Sequence, residues 1–173
     1  QEIATLTLTN KEEQLKKMLL KEQPVAELEN PVSLTHNILR RSVIPGLLSF
    51  LEKNKKARYA QKVFEIGTCI EVQGKKAKDE RKIAVTISHP KASYTEARQV
   101  LDYLMNSFGL KYEIKEQESP SFIDGRAASI LVKGKEVAVI GEMHPQVLRN
   151  FGLEMPTSVF ELNLNDLFSN EKD

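Results

Sequence analysis

Residues Ser119–Pro145 read SPSFIDGRAASILVKGKEVAVIGEMHP. Arg126–Val132 and Glu136–Ile140 are two runs rich in Val, Ile, Leu and Ala around Lys133-Gly134-Lys135, the pattern of a tight antiparallel hairpin. Asp124-Gly125 is a turn signal at its entry. Arg126 beside it is placed to pair with Asp124 or with a carboxylate of a partner. Gly141, His144 and Pro145 lead out of the hairpin. Proline is tolerated in a first helical turn, so Pro145–Phe151 is predicted as a short helix, with Gly152 just past its end. His144 at that start reads as a capping or loop-packing residue rather than a general base.

Working outward, strands come in hairpins with helices inserted between them. Ile3–Thr9 alternates apolar and polar residues and is predicted as a strand, Val25–Leu28 as a second. Leu15, Met18 and Leu19 mark a short amphipathic helix. Leu39, Val43, Leu47 and Leu51 recur at helical spacing, with Pro45 in the first turn and Ser42 as the predicted N-cap. Lys62–Val72 and Lys82–Ser88 are predicted strands joined by a polar loop, Gly74–Arg81. Thr95–Phe108 carries one apolar stripe behind a Ser93/Glu96 capping box, and Gly109 suits a left-handed helix end. Lys111–Lys115 and Ser158–Leu164 complete the strands, with a frayed turn from Asn165 onward. This order defines an α+β fold, an antiparallel sheet flanked by helices, in a single domain over 1–173.

The chain has 173 residues, 40% hydrophobic and 28% charged, with a formal net charge of +1. That length suits one domain with a real core. No apolar run approaches the roughly 20 residues of a membrane span, so no membrane partner is expected. Near-neutral charge argues against a dedicated nucleic-acid surface. Cys69, the single cysteine, reads as a small core residue and fits a reducing, cytoplasmic compartment. Gln1 is not an initiator and a strand pattern follows at once, so the chain reads as a piece of a larger polypeptide.

Catalytic signatures are missing. His36, His89 and His144 stand far apart, and one cysteine rules out a structural zinc site. There is no Gly-x-Ser-x-Gly elbow and no phosphate-binding glycine loop. Lys53, Lys55, Lys56 and Arg58 cluster at a helix end. They complement the helix dipole there, and the alternative is an RNA contact. The cluster Lys75–Lys82 is interleaved with Asp79 and Glu80, which weakens its field.

Taken in order, TLTLTNKEEQ, NPVSLTHNILRRSVIPGLLSFLEKNKK, VFEIG, SYTEARQVLDYL, the quoted hairpin and VFELNLNDL resemble the class II synthetase-like core domain of the phenylalanyl-tRNA synthetase beta subunit, in its archaeal and eukaryotic type. The resemblance implies a non-catalytic copy of the class II fold. It implies an alpha subunit as partner in a heterotetramer. ATP and Mg are expected for the whole enzyme through that alpha subunit, with no cofactor in this domain and tRNA(Phe) met indirectly or weakly. Catalytic class II domains carry Phe-Arg-x-Glu on a strand. A register set on Gly67 puts Ile70-Glu71-Val72-Gln73 there, with Glu71 in place of the ATP-binding arginine. The last class II motif aligns with Phe160–Leu167, and Asp166 stands where its arginine would be.

Each reversal matters, because a cation–phosphate pair at about 4 Å is worth roughly 4 kcal/mol of bare Coulomb energy at an effective dielectric near 20. No catalytic residue is therefore assigned. Arg40, Pro45, Leu47, Leu51, Gly125, Arg126, His144 and Pro145 are the candidate subunit-interface or loop-framework residues. An exposed apolar patch and self-association are expected of the chain without its partner. A free-standing ATP-dependent ligase is the enzyme alternative.

Overall fold

The computed structural model describes residues 1–33, 35–74 and 76–168. Among them are eight strands: β1 (Leu8–Thr9), β2 (Ile38–Leu39), β3 (Gln61–Gln73), β4 (Lys76–Ser88), β5 (Glu113–Glu116), β6 (Phe122–Val132), β7 (Lys135–Met143) and β8 (Thr157–Asn163). Four α-helices accompany them: α1 (Ile44–Lys53), α2 (Tyr94–Ser107), α3 (Pro145–Asn150) and α4 (Leu164–Phe168). β1 and β2 pair as a small ribbon. The other six strands form one antiparallel sheet in the order β3-β4-β8-β7-β6-β5.

The predicted hairpin is β6–β7. Lys133 and Gly134 both take positive φ, 51° and 79°, the geometry in which a two-residue turn matches the twist of its strands. The pairing slips between Phe122 and Ala127, leaving Asp124 and Gly125 in an exposed irregularity. Arg126 turns from Asp124 to Glu142, at 2.7 Å across the hairpin. His144 caps α3, its Nδ1 accepting the Gln146 N–H at 3.0 Å, with Pro145 in the first turn.

Strand periodicity divides the apolar residues between two faces. Val63, Cys69, Ala84, Met143 and Val159 pack with Val43, Ile44, Leu47, Leu48 and Leu51 of α1 and Val147, Leu148 and Phe151 at α3. Ile83, Ile87, Ile130, Ile140, Phe160 and Leu162 pack on the other face with Ala97, Leu101 and Met105 of α2 and Leu167 of α4. Leu47 and Leu51 are thus buried in the core, as is Pro45. The outward side of α1 carries Gly46, Ser49, Phe50 and Lys53. With Leu6 and Leu8 they line a groove of about 480 Å³. Leu6 is 70% exposed, an apolar group open to solvent beside that groove.

Several boundaries differ from the sequence expectation. Gly74–Arg81 is not a loop: β3 and β4 run on as a ribbon pairing as far as Gln73↔Lys76, turning at Gly74. Charged residues on both sides hid the strand alternation, yet cross-strand pairs such as Glu71↔Lys78 are favourable. Within Ile3–Thr9 only Leu8–Thr9 forms a ladder, and Val25–Leu28 supplies one isolated bridge, Glu27↔Ile38. The turn before Leu19 is a π-helix, Glu12–Lys16. Leu39 lies on β2, and the helix starts only at Ile44. Its N-cap is Val43, whose N–H goes to the Glu161 carboxylate, while the Ser42 hydroxyl oxygen accepts the next N–H, that of Ile44, at 3.2 Å. The Ser93 cap forms, but Glu96 binds Lys62 and His89 instead of closing the box. The expected frayed turn is partly helix α4. Its remainder lies outside the described residues.

Arg40 lies at the junction of ribbon and sheet. It is buried and bonds Glu65 on β3 at 2.7 Å, the Thr68 carbonyl at 2.9 Å and Thr5 Oγ1 at 2.9 Å. Thr5 returns its hydroxyl to Glu65 at 2.7 Å. A Cβ at Gly67 would stand 1.9 Å from Arg40 Nη2, so this glycine leaves the guanidinium its room. Arg40 thus ties the segment before α1 to β3 and to Thr5. Removing one partner of a buried pair strands the other, so Glu65→Ala is expected to cost roughly 3–5 kcal/mol in urea unfolding. Gly67→Ala displaces the same guanidinium. The double variant should cost clearly less than the two singles added, and an additive result would mean that Gly67 serves something else.

Candidate functional site: an acidic cleft on the open face of the sheet

Helix α1 covers only part of its face of the sheet. Beyond its N-terminus the strands are left open in a cleft of about 240 Å³. β3 contributes Glu71, β4 Glu80 and Lys82, and β8 Glu161 and Asn163. β7 contributes Glu136–Val139 and α4 Asp166. Glu71 and Asp166 are 95 positions apart in sequence, and the topology brings them to one cavity. Five carboxylates surround one lining cation.

The polar groups at its floor are committed to one another. Glu161 Oε1 accepts the Val43 N–H at 2.7 Å and the Ser42 hydroxyl at 2.9 Å, holding the N-terminus of α1 against the sheet. A carboxylate is favourable there because the first N–H groups of a helix lack partners and carry partial positive charge. Lys82 Nζ donates to the Arg41 carbonyl at 3.0 Å and lies 3.4 Å from Glu80 and 3.8 Å from Glu161. Burial works against its charge, but Glu161 and Glu80 outweigh burial and raise it above the usual lysine range. Burial likewise opposes ionisation of Glu80, and Lys82 with the surrounding hydrogen bonds outweighs that, lowering it. At the rim Lys135 bonds Asp166 at 2.7 Å. Asn163 Oδ1 accepts the N–H groups of Asn165 and Asp166 and so starts α4.

Chemically, this arrangement suits holding secondary structure in place and disfavours polyphosphate. The single lining lysine is engaged by protein groups. A nucleotide would meet carboxylates on β3, β4, β7, β8 and α4. Among the described residues no group of three His, Cys, Asp or Glu is arranged to hold a metal ion. The histidines stay apart: His36 meets Thr35, His89 meets Glu96, and His144 caps α3. The sequence reading picked out Glu71 and Asp166. It missed Glu80, Lys82, Glu136 and Glu161. Periodicity alone placed Glu161 and Lys82 on strands, where an isolated charge in an apolar run is the signal that a buried partner exists.

An antiparallel six-stranded sheet with helices on both faces and a polar cleft on one is the fold of the class II aminoacyl-tRNA synthetases. A solved pyrrolysyl-tRNA synthetase from Desulfitobacterium hafniense superposes with a TM-score of 0.76 at 16% identity, over 98% of this chain and 62% of that one. The family profile described as "Phenylalanyl tRNA synthetase beta chain CLM domain" matches residues 1–164, and the chain belongs to that family. The phenylalanine–tRNA ligase beta subunit of Thermococcus sibiricus is 44% identical over 97% of this chain and 30% of its own length. That of Pyrococcus abyssi is 44% identical over 97% and 31%. The chain spans about a third of the length of these relatives. The resemblance read from the sequence is borne out, as is the fold class.

Beneath the cleft, Cys69 is fully buried beside Glu161, Lys82, Arg40 and Glu65. Burial first, and Glu161 second, push its thiol up to about 12 from an ordinary 9.0. A raised value means that the unfolded chain ionises before the folded one. Stability from this group is therefore complete below about pH 9 and lost between pH 9 and 12. Iodoacetamide at pH 8 should leave the native protein unmodified and label it fully in urea. Cys69→Ala should flatten the alkaline limb of the stability profile, and an unchanged limb would assign it to other groups. Lowered Glu80 acts oppositely: its contribution stands above the ordinary carboxylate value and fades as pH falls through and below it.

Proposed function

We propose that the chain is a non-catalytic module of a phenylalanine–tRNA ligase beta subunit, and that it scaffolds a catalytic alpha subunit in a cytoplasmic heterotetramer. The observation that carries this is the charge of the cleft. Glu71 and Asp166, aligned with the ATP-binding arginines of catalytic class II domains, line it together with Glu80, Glu136 and Glu161. Transfer of an α-phosphate requires cations where oxyanion charge gathers. Replacing them by carboxylates turns each stabilising contact into repulsion. In this reading ATP, Mg and phenylalanine are used by the alpha subunit, and tRNA(Phe) is charged there.

A module that keeps the fold without the chemistry serves through its surface. The groove beside α1, with exposed Leu6 and Leu8 at its edge, is the apolar surface this reading offers to the partner. The same surface accounts for the self-association expected of the isolated chain.

The beta chain purified alone is expected to give no phenylalanine-dependent ATP–pyrophosphate exchange. Mixed with its alpha subunit it should co-purify and restore aminoacylation. Glu71→Gln together with Glu136→Gln should leave the restored rate within about twofold, because neither carboxylate meets substrate. Exchange by the beta chain alone, or a complex that loses activity on these substitutions, would sink the proposal.

A further inference from the structure

The charge of the domain is not evenly spread. Residues 53–62, KNKKARYAQK, hold five basic residues and no acidic one. The remainder of the chain has 20 basic against 24 acidic residues. This segment runs from the end of α1 into the start of β3, and Lys53, Lys55, Lys56, Arg58, Tyr59 and Lys62 are all exposed. Two of the cations have carboxylate partners: Lys55 lies 3.5 Å from Glu52, and Lys62 lies 2.6 Å from Glu96. Lys53, Lys56 and Arg58 have none among the described residues, and Tyr59, 38% exposed, stands among them.

From the geometry we infer that this segment is an RNA contact. Lys53, Lys56 and Arg58 neutralise backbone phosphates, and the Tyr59 ring stacks on an unpaired base. Three observations carry the inference. The free cations are clustered with an exposed aromatic ring, the combination that binds single-stranded nucleic acid. The segment has no Leu, Ile, Val, Phe or Met to bury in a bilayer, which disfavours a lipid surface. It also lies at the opposite end of β3 from the acidic cleft. Lys62 and Glu71 are nine positions apart, about 30 Å of strand. At physiological salt the screening length is about 8 Å, so the cleft does not cancel the basic end. A polyanion is attracted at one end of the domain and repelled at the other, which orients it. The near-neutral net charge of the whole chain conceals this. Lys53 also lines the groove offered to the alpha subunit, whereas Lys56, Arg58 and Tyr59 lie outside it, so the RNA contact rests on those three where the partner covers the groove, and either reading can fail alone.

Fluorescence anisotropy with a labelled, unmodified tRNA transcript tests it, titrated with the chain from 50 to 200 mM KCl. Three phosphate contacts should give a log–log salt slope of roughly −2 to −3. The variant Lys53→Gln/Lys56→Gln/Arg58→Gln should bind at least tenfold more weakly at 50 mM and show a slope near zero. A control with the same charge change elsewhere, Lys76→Gln/Lys111→Gln/Lys115→Gln, should bind within about twofold of the parent. Tyr59→Ala should weaken binding of a single-stranded 20-mer about tenfold and leave the salt slope unchanged. Thermal melts of each variant separate lost binding from lost folding. Equal weakening by the control set, no binding at 50 mM, or tighter capture by phosphatidylserine vesicles than by RNA would each overturn the inference.

Discussion

One carboxylate ties this fold together. Glu161 sits in the middle of the sheet on β8. It accepts the Val43 N–H and the Ser42 hydroxyl at the start of α1 and faces Lys82 on β4. A buried carboxylate survives only where hydrogen bonds and a counter-charge replace water. Glu161 has both. Its bonds fix where α1 begins, and therefore how much of the sheet the helix covers and how much stays open as the cleft. Lys82 is drawn into the same network by the Arg41 carbonyl and by Glu80, so the one lining cation of the cleft is engaged in holding the fold.

The second buried pair, Arg40–Glu65, works on the other side of α1. It fastens the segment before the helix to β3, and the lack of a side chain at Gly67 leaves it space. Thr5 is bonded to both charges, so the extended N-terminal segment is held by polar contacts where its strand pairing lapses. Polar pairs thus fix α1 at its start from two directions, while its apolar side fills the core.

How much of this was legible depends on where the informative groups lie in sequence. The hairpin β6–β7, helix α2 and the turn at Lys133-Gly134 follow local rules of period and turn chemistry, and their residues announce them. The capping by His144 is equally local. Glu161 capping α1 is not: donor and acceptor are 118 residues apart. The helix start lies one residue beyond the expected Ser42: the serine still accepts the Ile44 N–H, and the distant carboxylate takes the Val43 N–H and the serine hydroxyl. The extension of β3 and β4 through Gly74–Arg81 was hidden because exposed strands beyond the sheet carry charge on both sides. Arg126 turned from its chain neighbour Asp124 to Glu142, which β7 places across from it. Glu71 and Asp166 were marked one by one through the class II resemblance. That they share a cavity with three further carboxylates depends on the strand order.

The two ends of β3 then take opposite electrostatic characters for one reason. A class II fold needs cations at the cleft only if it binds a triphosphate there. On the non-catalytic reading proposed above that requirement lapses, and carboxylates serve helix starts and buried lysines instead, as Glu161 and Glu80 do. Glu161 and Glu80 at this end answer a structural demand. The basic end differs: among the described residues Lys53, Lys56 and Arg58 pair with no carboxylate, and all three are exposed. The helix dipole at the end of α1 rewards a cation within its last turn, which accounts for Lys53. It fades before Arg58, five residues further along. The charge there calls for a partner outside the domain.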